Sequence, residues 1–337
     1  MTNRKKLQTS RPAGKISDRE GRSVMSEKIS ETKRLKLVQL LEHLVPEERV
    51  IPSVVEGVRL FRVDRSSPRA QKAYEPGIII LAQGQKRVFL GDEIYTYNAL
   101  NYLVLSVPLP IECETTASSE EPILGIYITV DPSSVGEILL EMNDDLRYNE
   151  ESLPKGIYTS HLTDVLTDTT IRLLEALSSP MDGRILGPMI VKEIVYRVLC
   201  SEPGGALHAM AYHNRRFFKI ARVLNRIHES FNDLLDVKSL ATDAGMSVST
   251  FHSSFKAVTN VSPIQYIKNV RLHKARILMT QDGLNVYNAA LRVGYESPSQ
   301  FSREYKRFFG VTPGKDTGPE ANDGKYLNFE SQSILSV

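Results

Sequence analysis

Tryptophan is absent from this chain of 337 residues, and cysteine occurs only twice, at Cys113 and Cys200. Two thiols cannot build a disulfide framework or a four-cysteine zinc site. Long apolar runs are missing too. None approaches the ~18 residues of a membrane span, and the basic N-terminus lacks a signal-peptide core. The seven histidines stand at 43, 161, 208, 213, 228, 252 and 273, so none falls in the stretch 51–130. There is no GxSxG, no Walker lysine loop and no GxGxxG after a strand. These gaps predict a soluble cytoplasmic protein that is not an enzyme, holds no metal and needs no cofactor. Excess charge is also scarce, at +2 overall. That balance hides an asymmetry: residues 51–150 carry −7 and residues 213–316 carry +8. An acidic module is therefore joined to one that seeks a polyanion.

Residues 1–26 carry no apolar period and are expected to be a disordered basic tail. A first helix is predicted over 27–43, from the spacing of Ile29, Leu35, Val38, Leu41 and Leu44, with Pro46 ending it. Short runs follow at 58–64, 78–83, 86–90, 93–97, 102–106, 111–116 and 123–130. Gln83-Gly84-Gln85 and Gly91-Asp92 supply hairpin turns between them. This texture predicts a β-rich barrel or sandwich. Trailing helices are expected at 132–142, 164–177 and 187–199. The last has an apolar stripe of Met189, Ile190, Ile194, Val195 and Val198, readable as core or as a dimer seam, with core the better single reading. SEPGG at 201–205 breaks the chain, so 27–205 forms a sensor or dimerisation domain. Residues 317–337 form a C-terminal tail.

The basic half contains a duplication. VKSLATDAGMSVSTFHSSFKAVTNVSP can be laid on VYNAALRVGYESPSQFSREYKRFFGVTP. Val237, Ala241 and Gly245 match Val286, Ala290 and Gly294. Ser247, Phe251, Lys256 and Pro263 match Ser297, Phe301, Lys306 and Pro313 once Glu296 is counted as an insertion. Each copy reads as helix, tight turn, helix. Glycine takes the positive φ of the turn, and a serine caps the second helix. The predicted buried face of that helix is Val248, Phe251 and Phe255 in the first copy, and Phe301 and Tyr305 in the second. The opposite faces carry Ser249, Thr250, His252, Ser253 and Lys256, and then Pro298, Ser299, Gln300, Ser302, Arg303 and Lys306. Hydroxyls, an amide and a guanidinium are groups that read base edges in the major groove. Lysines toward the helix ends suit phosphate. One such face would be read as merely solvated. Two copies on a +8 module reverse that preference and name double-stranded DNA as the partner. Between the copies PIQYIKNVRLHKARILM offers Ile264, Ile267, Val270, Leu272, Ala275 and Leu278 for burial, a connector of roughly 25 Å. Such a spacer holds two recognition helices near the ~34 Å repeat of the groove.

GYESPSQFSREYKRFFGVTP resembles the C-terminal signature of AraC-type (AraC/XylS) transcription regulators. Gly294, Ser297, Phe301, Arg303, Lys306, Gly310, Thr312 and Pro313 stand where that pattern wants them. ILAQGQKRVFLGDEIYTYNALNYLVLSVPLPIE also resembles the alternative N-terminal domain of the family, shared with aldehyde-responsive members. Asn260 departs from the pattern, standing where glycine is common, and Gly314-Lys315-Asp316 follow the final TP. The resemblance implies a cupin-like N-terminal domain, then an all-α domain of two helix-turn-helix units joined by a long helix. It implies a small-molecule effector, contact with RNA polymerase and a possible homodimer. The DNA-binding residues are then Ser247, Ser249, Thr250, His252, Ser253, Lys256, Ser297, Ser299, Gln300, Ser302, Arg303 and Lys306. Tyr95, Tyr97 and Tyr102 can face inward as effector-binding residues. Cys113 alternates with Glu112 and Glu114 and points inward. It is read first as an inert buried thiol, and through the resemblance as an effector contact. Two alternatives stay open: an architectural DNA-binding protein whose β-domain only dimerises, and a metal-free cupin-like enzyme fused to a DNA-binding domain.

Overall fold

The computed structural model describes residues 17–99, 101–142, 153–201, 205–211 and 216–317. Residues 1–16 and 318–337 of the tails expected at 1–26 and 317–337, and residues 202–204 of the SEPGG break, lie outside the described residues. A helix α1 (Ser17–Leu44) precedes the strands β1 (Arg49–Pro52), β2 (Val58–Val63), β3 (Ser67–Tyr74), β4 (Gly77–Gln83) and β5 (Gln85–Leu90). Then come β6 (Glu93–Asn98), β7 (Asn101–Leu105), β8 (Leu109–Thr116), β9 (Ile123–Thr129), α2 (Pro132–Glu141) and β10 (Ile157–His161). The rest is helical: α3 (Asp164–Leu177), α4 (Pro180–Leu199), α5 (Gly205–Ala211), α6 (Arg216–Glu229), α7 (Val237–Asp243) and α8 (Val248–Thr259). The chain continues through α9 (Pro263–Thr280), α10 (Val286–Arg292), α11 (Pro298–Phe309) and α12 (Pro313–Asp316).

The strands form two antiparallel sheets. One runs β1-β2-β9-β4-β7-β10 and the other β3-β8-β5-β6. Their inner faces share one core, with Phe61, Leu81, Val88 and Tyr127 almost fully buried. Ile80, Leu124 and Ile126 are buried on the opposite face of the larger sheet, which α1 covers. The strands that alternation missed, β1, β3 and β10, are three of the four edge strands. An edge strand buries less of itself, so its sequence needs fewer apolar residues. SPRAQKAY in β3 shows this, because Arg69 and Gln71 turn outward and bind Glu112.

Three expectations about helices need correction. The first helix starts at Ser17 rather than at residue 27, which takes residues 17–26 out of the expected disordered tail, since a polar segment can be helical without an apolar period. Within it Leu37, Val38 and Leu41 are buried while Leu35 is exposed. Leu35 lies two residues, about 200°, from Leu37 and so faces away. The helix expected over 187–199 begins at Pro180, with Ser179 as its N-cap. Ile190, Ile194, Val195 and Val198 are intramolecular core, whereas Met189 is 68% exposed and does not belong to that stripe. The helix α6, which the sequence reading passed over, buries Phe217, Ile220, Val223, Leu224 and Ile227 beneath α8 and α9.

Candidate nucleic-acid interface

The duplication reappears bond for bond. The first helix of each unit is capped alike: Asp236 accepts from Ser239 N at 3.0 Å, and Asn285 from Asn288 N at 2.8 Å. In the first turn Gly245 N donates to Thr242 O and Met246 N to Ala241 O. In the second, Gly294 N donates to Leu291 O and Tyr295 N to Ala290 O. Gly245 and Gly294 have φ of 59° and 82°. A Cβ on Gly294 would also lie 2.7 Å from Asn232 O, so that position excludes side chains twice over.

Ser247 and Ser297 cap the recognition helices α8 and α11, accepting from Thr250 N at 3.2 Å and Gln300 N at 3.3 Å. Their hydroxyls are thus occupied in setting the helix start. Ser249, Thr250, Ser253 and Lys256 are exposed on α8, and His252 is half-buried. On α11 Ser299, Gln300, Arg303 and Lys306 are exposed, while Pro298 and Ser302 are half-buried. Gln300 also donates to Glu304, which Lys268 and Tyr295 hold at 2.8 Å each. Beneath these faces Phe251 stacks on Phe255 at 5.5 Å, and Phe301 on Tyr305 at 5.4 Å. Val248 is the exception to the predicted core face. It is 45% exposed, because as the first residue of α8 it has no preceding turn to pack against. Likewise Ile264, at the second position of α9, is 55% exposed and Leu278 only half-buried.

The connector does more than space the units. Arg271 donates to Phe231 O at 2.7 Å, Asp233 O at 2.8 Å and Gly294 O at 3.1 Å. It thereby ties the segment before α7 to the turn of the second unit. Arg276 and Tyr305 both bind the buried Asp316 carboxylate, at 2.9 and 2.6 Å. Apolar spacing could not flag any of these charged residues.

The interior of the β-domain is more polar than alternation suggested. Register places Lys86 opposite Tyr97 and Thr115, and Val88 opposite Tyr95 and Cys113, so all share the inner face of the four-stranded sheet. Cys113 is buried, as expected, and burial pushes its thiol up, opposed by Lys86 and a hydrogen bond with Tyr74. Tyr97 is fully buried and its hydroxyl has no hydrogen-bond partner among the described residues. Tyr102 is buried too, but in the other sheet. Tyr95 is only half-buried and donates to Glu93 at 2.6 Å, so it marks the rim rather than the interior. The residue that sequence reasoning missed is Lys86, 5% exposed, 5.1 Å from the centre of the Phe61 ring. Burial drives its ammonium down to about 8. The signal was present in QKRVFL, where period two puts Lys86 on the face of Val88 and Leu90. Glu112 and Glu114 lie outside, paired with Arg69 and Arg87 as a solvated face.

Comparison with known proteins follows this division of the chain. Residues 54–206 match the family profile described as the AraC-type transcriptional regulator N-terminus, and residues 240–316 match a helix-turn-helix domain profile. The virulence regulon transcriptional activator VirF of Yersinia enterocolitica is 23% identical over 245 residues, covering 72% of this chain and 88% of VirF. The regulator AlkR of Acinetobacter baylyi is 33% identical over 95 residues, 28% of this chain and 31% of AlkR. ToxT from Vibrio cholerae shares the fold at a TM-score of 0.53 and 14% identity, over 77% of this chain and 97% of ToxT. Another structure of ToxT holds an unsaturated fatty acid.

Proposed function

The chain belongs to the AraC-type family of transcription regulators, and from that premise we propose that its two recognition helices read adjacent major-groove segments of one DNA duplex. The observation that carries this reading is the pair of matched, open polar faces on a module of net charge +8. Ser249, Thr250, His252 and Ser253 read bases from the first helix, and Gln300, Ser299, Ser302 and Arg303 from the second. Lys256 and Lys306 hold phosphates, and Ser247 and Ser297 orient the helix starts. The β-domain senses a small molecule. Its buried Lys86 and Tyr97 hydroxyl favour an effector with acceptor oxygens, Cys113 shares their face, Tyr95 stands at the rim, and Tyr102 is buried on the six-stranded sheet. The chain has no catalytic task and acts in the cytoplasm, where it meets RNA polymerase. No helix among the described residues is long and apolar enough to cross a membrane.

Dimerisation is assigned to the outward face of α4. Met181, Ile185, Leu186, Met189 and Tyr196 are all exposed there, beside a groove of about 520 Å³ between α3 and α4. Binding-site selection with the full chain tests the DNA reading. A bipartite site with centres about one helical turn apart is expected. Enrichment of no sequence would remove this function. Sedimentation of Met189→Asp against the parent chain tests the dimer, and a parent that is monomeric at micromolar concentration would exclude it.

A further inference from the structure

The two recognition helices end differently. Gly310 closes the second with φ 78°, and nothing stands within 4 Å of where its Cβ would be. Asn260 closes the first with φ 59°, in a conformation that glycine adopts with less strain. What asparagine adds is its amide. Asn260 Nδ2 donates to Leu90 O at 2.7 Å, across 170 positions of chain and into the β-domain. The neighbouring Gly91 has φ 63°, and a Cβ on it would lie 2.4 Å from Asn260 Nδ2. The amide therefore needs a glycine at 91, which leaves the space that it fills and which the left-handed φ also favours.

Two more hydrogen bonds stand beside this one. Gly156 N donates to Val258 O at 3.1 Å, and the Tyr266 hydroxyl donates to Pro108 O at 2.6 Å. His228 Nε2 lies 2.9 Å from the same hydroxyl. Leu90 ends the strand that carries Lys86, and Pro108 immediately precedes the strand that carries Cys113. The inner ends of the contact are thus the ends of the strands whose inner faces carry Lys86 and Cys113.

We propose that Asn260 and Gly91 form a latch that restrains the first recognition unit on the β-domain, and that displacement of β5 or β8 by a molecule taken up between the sheets releases it. The reading face of α8 stays open, so the latch does not cover DNA-contacting groups. It fixes the attitude of the first unit, whereas the second is built on a separate core, is joined to the first through α9, and meets the β-domain where α11 touches β3. Restraint costs DNA affinity because the two units then cannot settle independently into successive grooves. The latch rests on the sensor reading of the β-domain, but its own test needs no effector.

The test uses the full chain and the duplex obtained by selection with it. Asn260→Gly keeps the left-handed helix end and removes only the amide. It should melt within a few degrees of the parent, show faster amide exchange at residues 90–92 and 258–262, and bind the duplex at least about fivefold more tightly. Unchanged exchange at both segments, or binding no tighter than the parent, overturns the latch. Gly91→Ala supplies a second route, since its methyl drives the amide out. It should tighten binding alone but add nothing in the Asn260→Gly background. If the two affinity gains multiply instead, the residues do not act through one contact and the proposal falls. A selection that enriches no sequence defeats the DNA reading, and the exchange comparison then decides the latch by itself.

Discussion

The two recognition units share a hydrogen-bond skeleton but not a foundation. The first contributes Phe251, Phe255 and Val258 to a core continuous with the β-domain, through Tyr266, Ile267 and Val270 of α9. The second closes around its own cluster of Leu272, Ala275, Met279, Ala289, Ala290, Val293, Phe301 and Tyr305. Duplicated sequence reproduced the turn, the caps and the aromatic pair in each copy. It did not reproduce the neighbours. The difference teaches that a repeat dictates local geometry, whereas independence from the rest of the molecule depends on what each copy packs against.

The largest expected effect tests that separation. Asp316 is 6% exposed and holds Arg276 and Tyr305 together. Removing it by Asp316→Ala strands a buried guanidinium, which typically costs about 3–5 kcal/mol. Hydrogen exchange should show α10, α11 and α12 losing protection while α8 and the strands keep theirs. Equal loss in both units would mean that the two cores form one cooperative body.

Acid should loosen both units, each through its own histidine. Burial drives His228, next to Tyr266, down to about 4. Burial also drives His273, between Phe308 and Phe309, down to about 3. In both cases the folded state prefers the neutral ring relative to the unfolded value of 6.5. The unfolded chain then binds more protons, so this stabilisation is fully present above pH 6.5 and is lost as pH falls toward 4 and 3. His273→Phe should flatten the acid limb of the urea midpoint for the second unit, since His273 Nε2 has no hydrogen-bond partner among the described residues. An acid limb that keeps its slope would assign acid sensitivity to other groups.

Arg303 and Lys306 compare two roles on one helix. Arg303 leaves the core face two residues after Phe301, and its planar fork suits guanine O6 and N7. Arg303→Ala should cost ~1–3 kcal/mol of binding and relax preference at one position of the selected site. Weaker binding with an unchanged sequence preference would make Arg303 a phosphate contact. The smallest effect is expected at Lys306, near the end of α11. Lys306→Ala should weaken every duplex alike and lower the salt slope by about one counterion. A slope that does not change would place Lys306 off the backbone.

Legibility followed burial. The strands of the sheet interiors announced themselves because β4 and β9 are apolar nearly throughout, and β8 alternates between core and Glu112 and Glu114. The edge strands β1, β3 and β10 did not, since each pairs on one side only and β1 and β10 bury few of their residues. Both helix-turn-helix units were readable from Gly245, Gly294 and the serine caps, whose conformations follow from local chemistry. Lys86 was passed over because a lysine is ordinarily a surface residue. Only the facing sheet and the Phe61 ring explain its burial. Tyr95 and Tyr102 were grouped with Tyr97 by spacing alone. The structure keeps Tyr95 on the face of Tyr97 but at its rim, and puts Tyr102 on β7 of the other sheet.

By itself the sequence determined the order of the parts: an acidic β-domain, trailing helices, and a basic pair of matched units with polar faces. Alternation, helical period, glycine turns and capping serines act over a few residues, and so they can be read in one dimension. Tertiary structure decided which apolar stripe of α4 stays in solvent, that Lys86 and Tyr97 meet, and that Arg271 joins the two units. It also set Asn260 against Gly91. Each of these depends on residues far apart in the chain reaching contact distance, and a free energy of contact leaves no mark on local spacing.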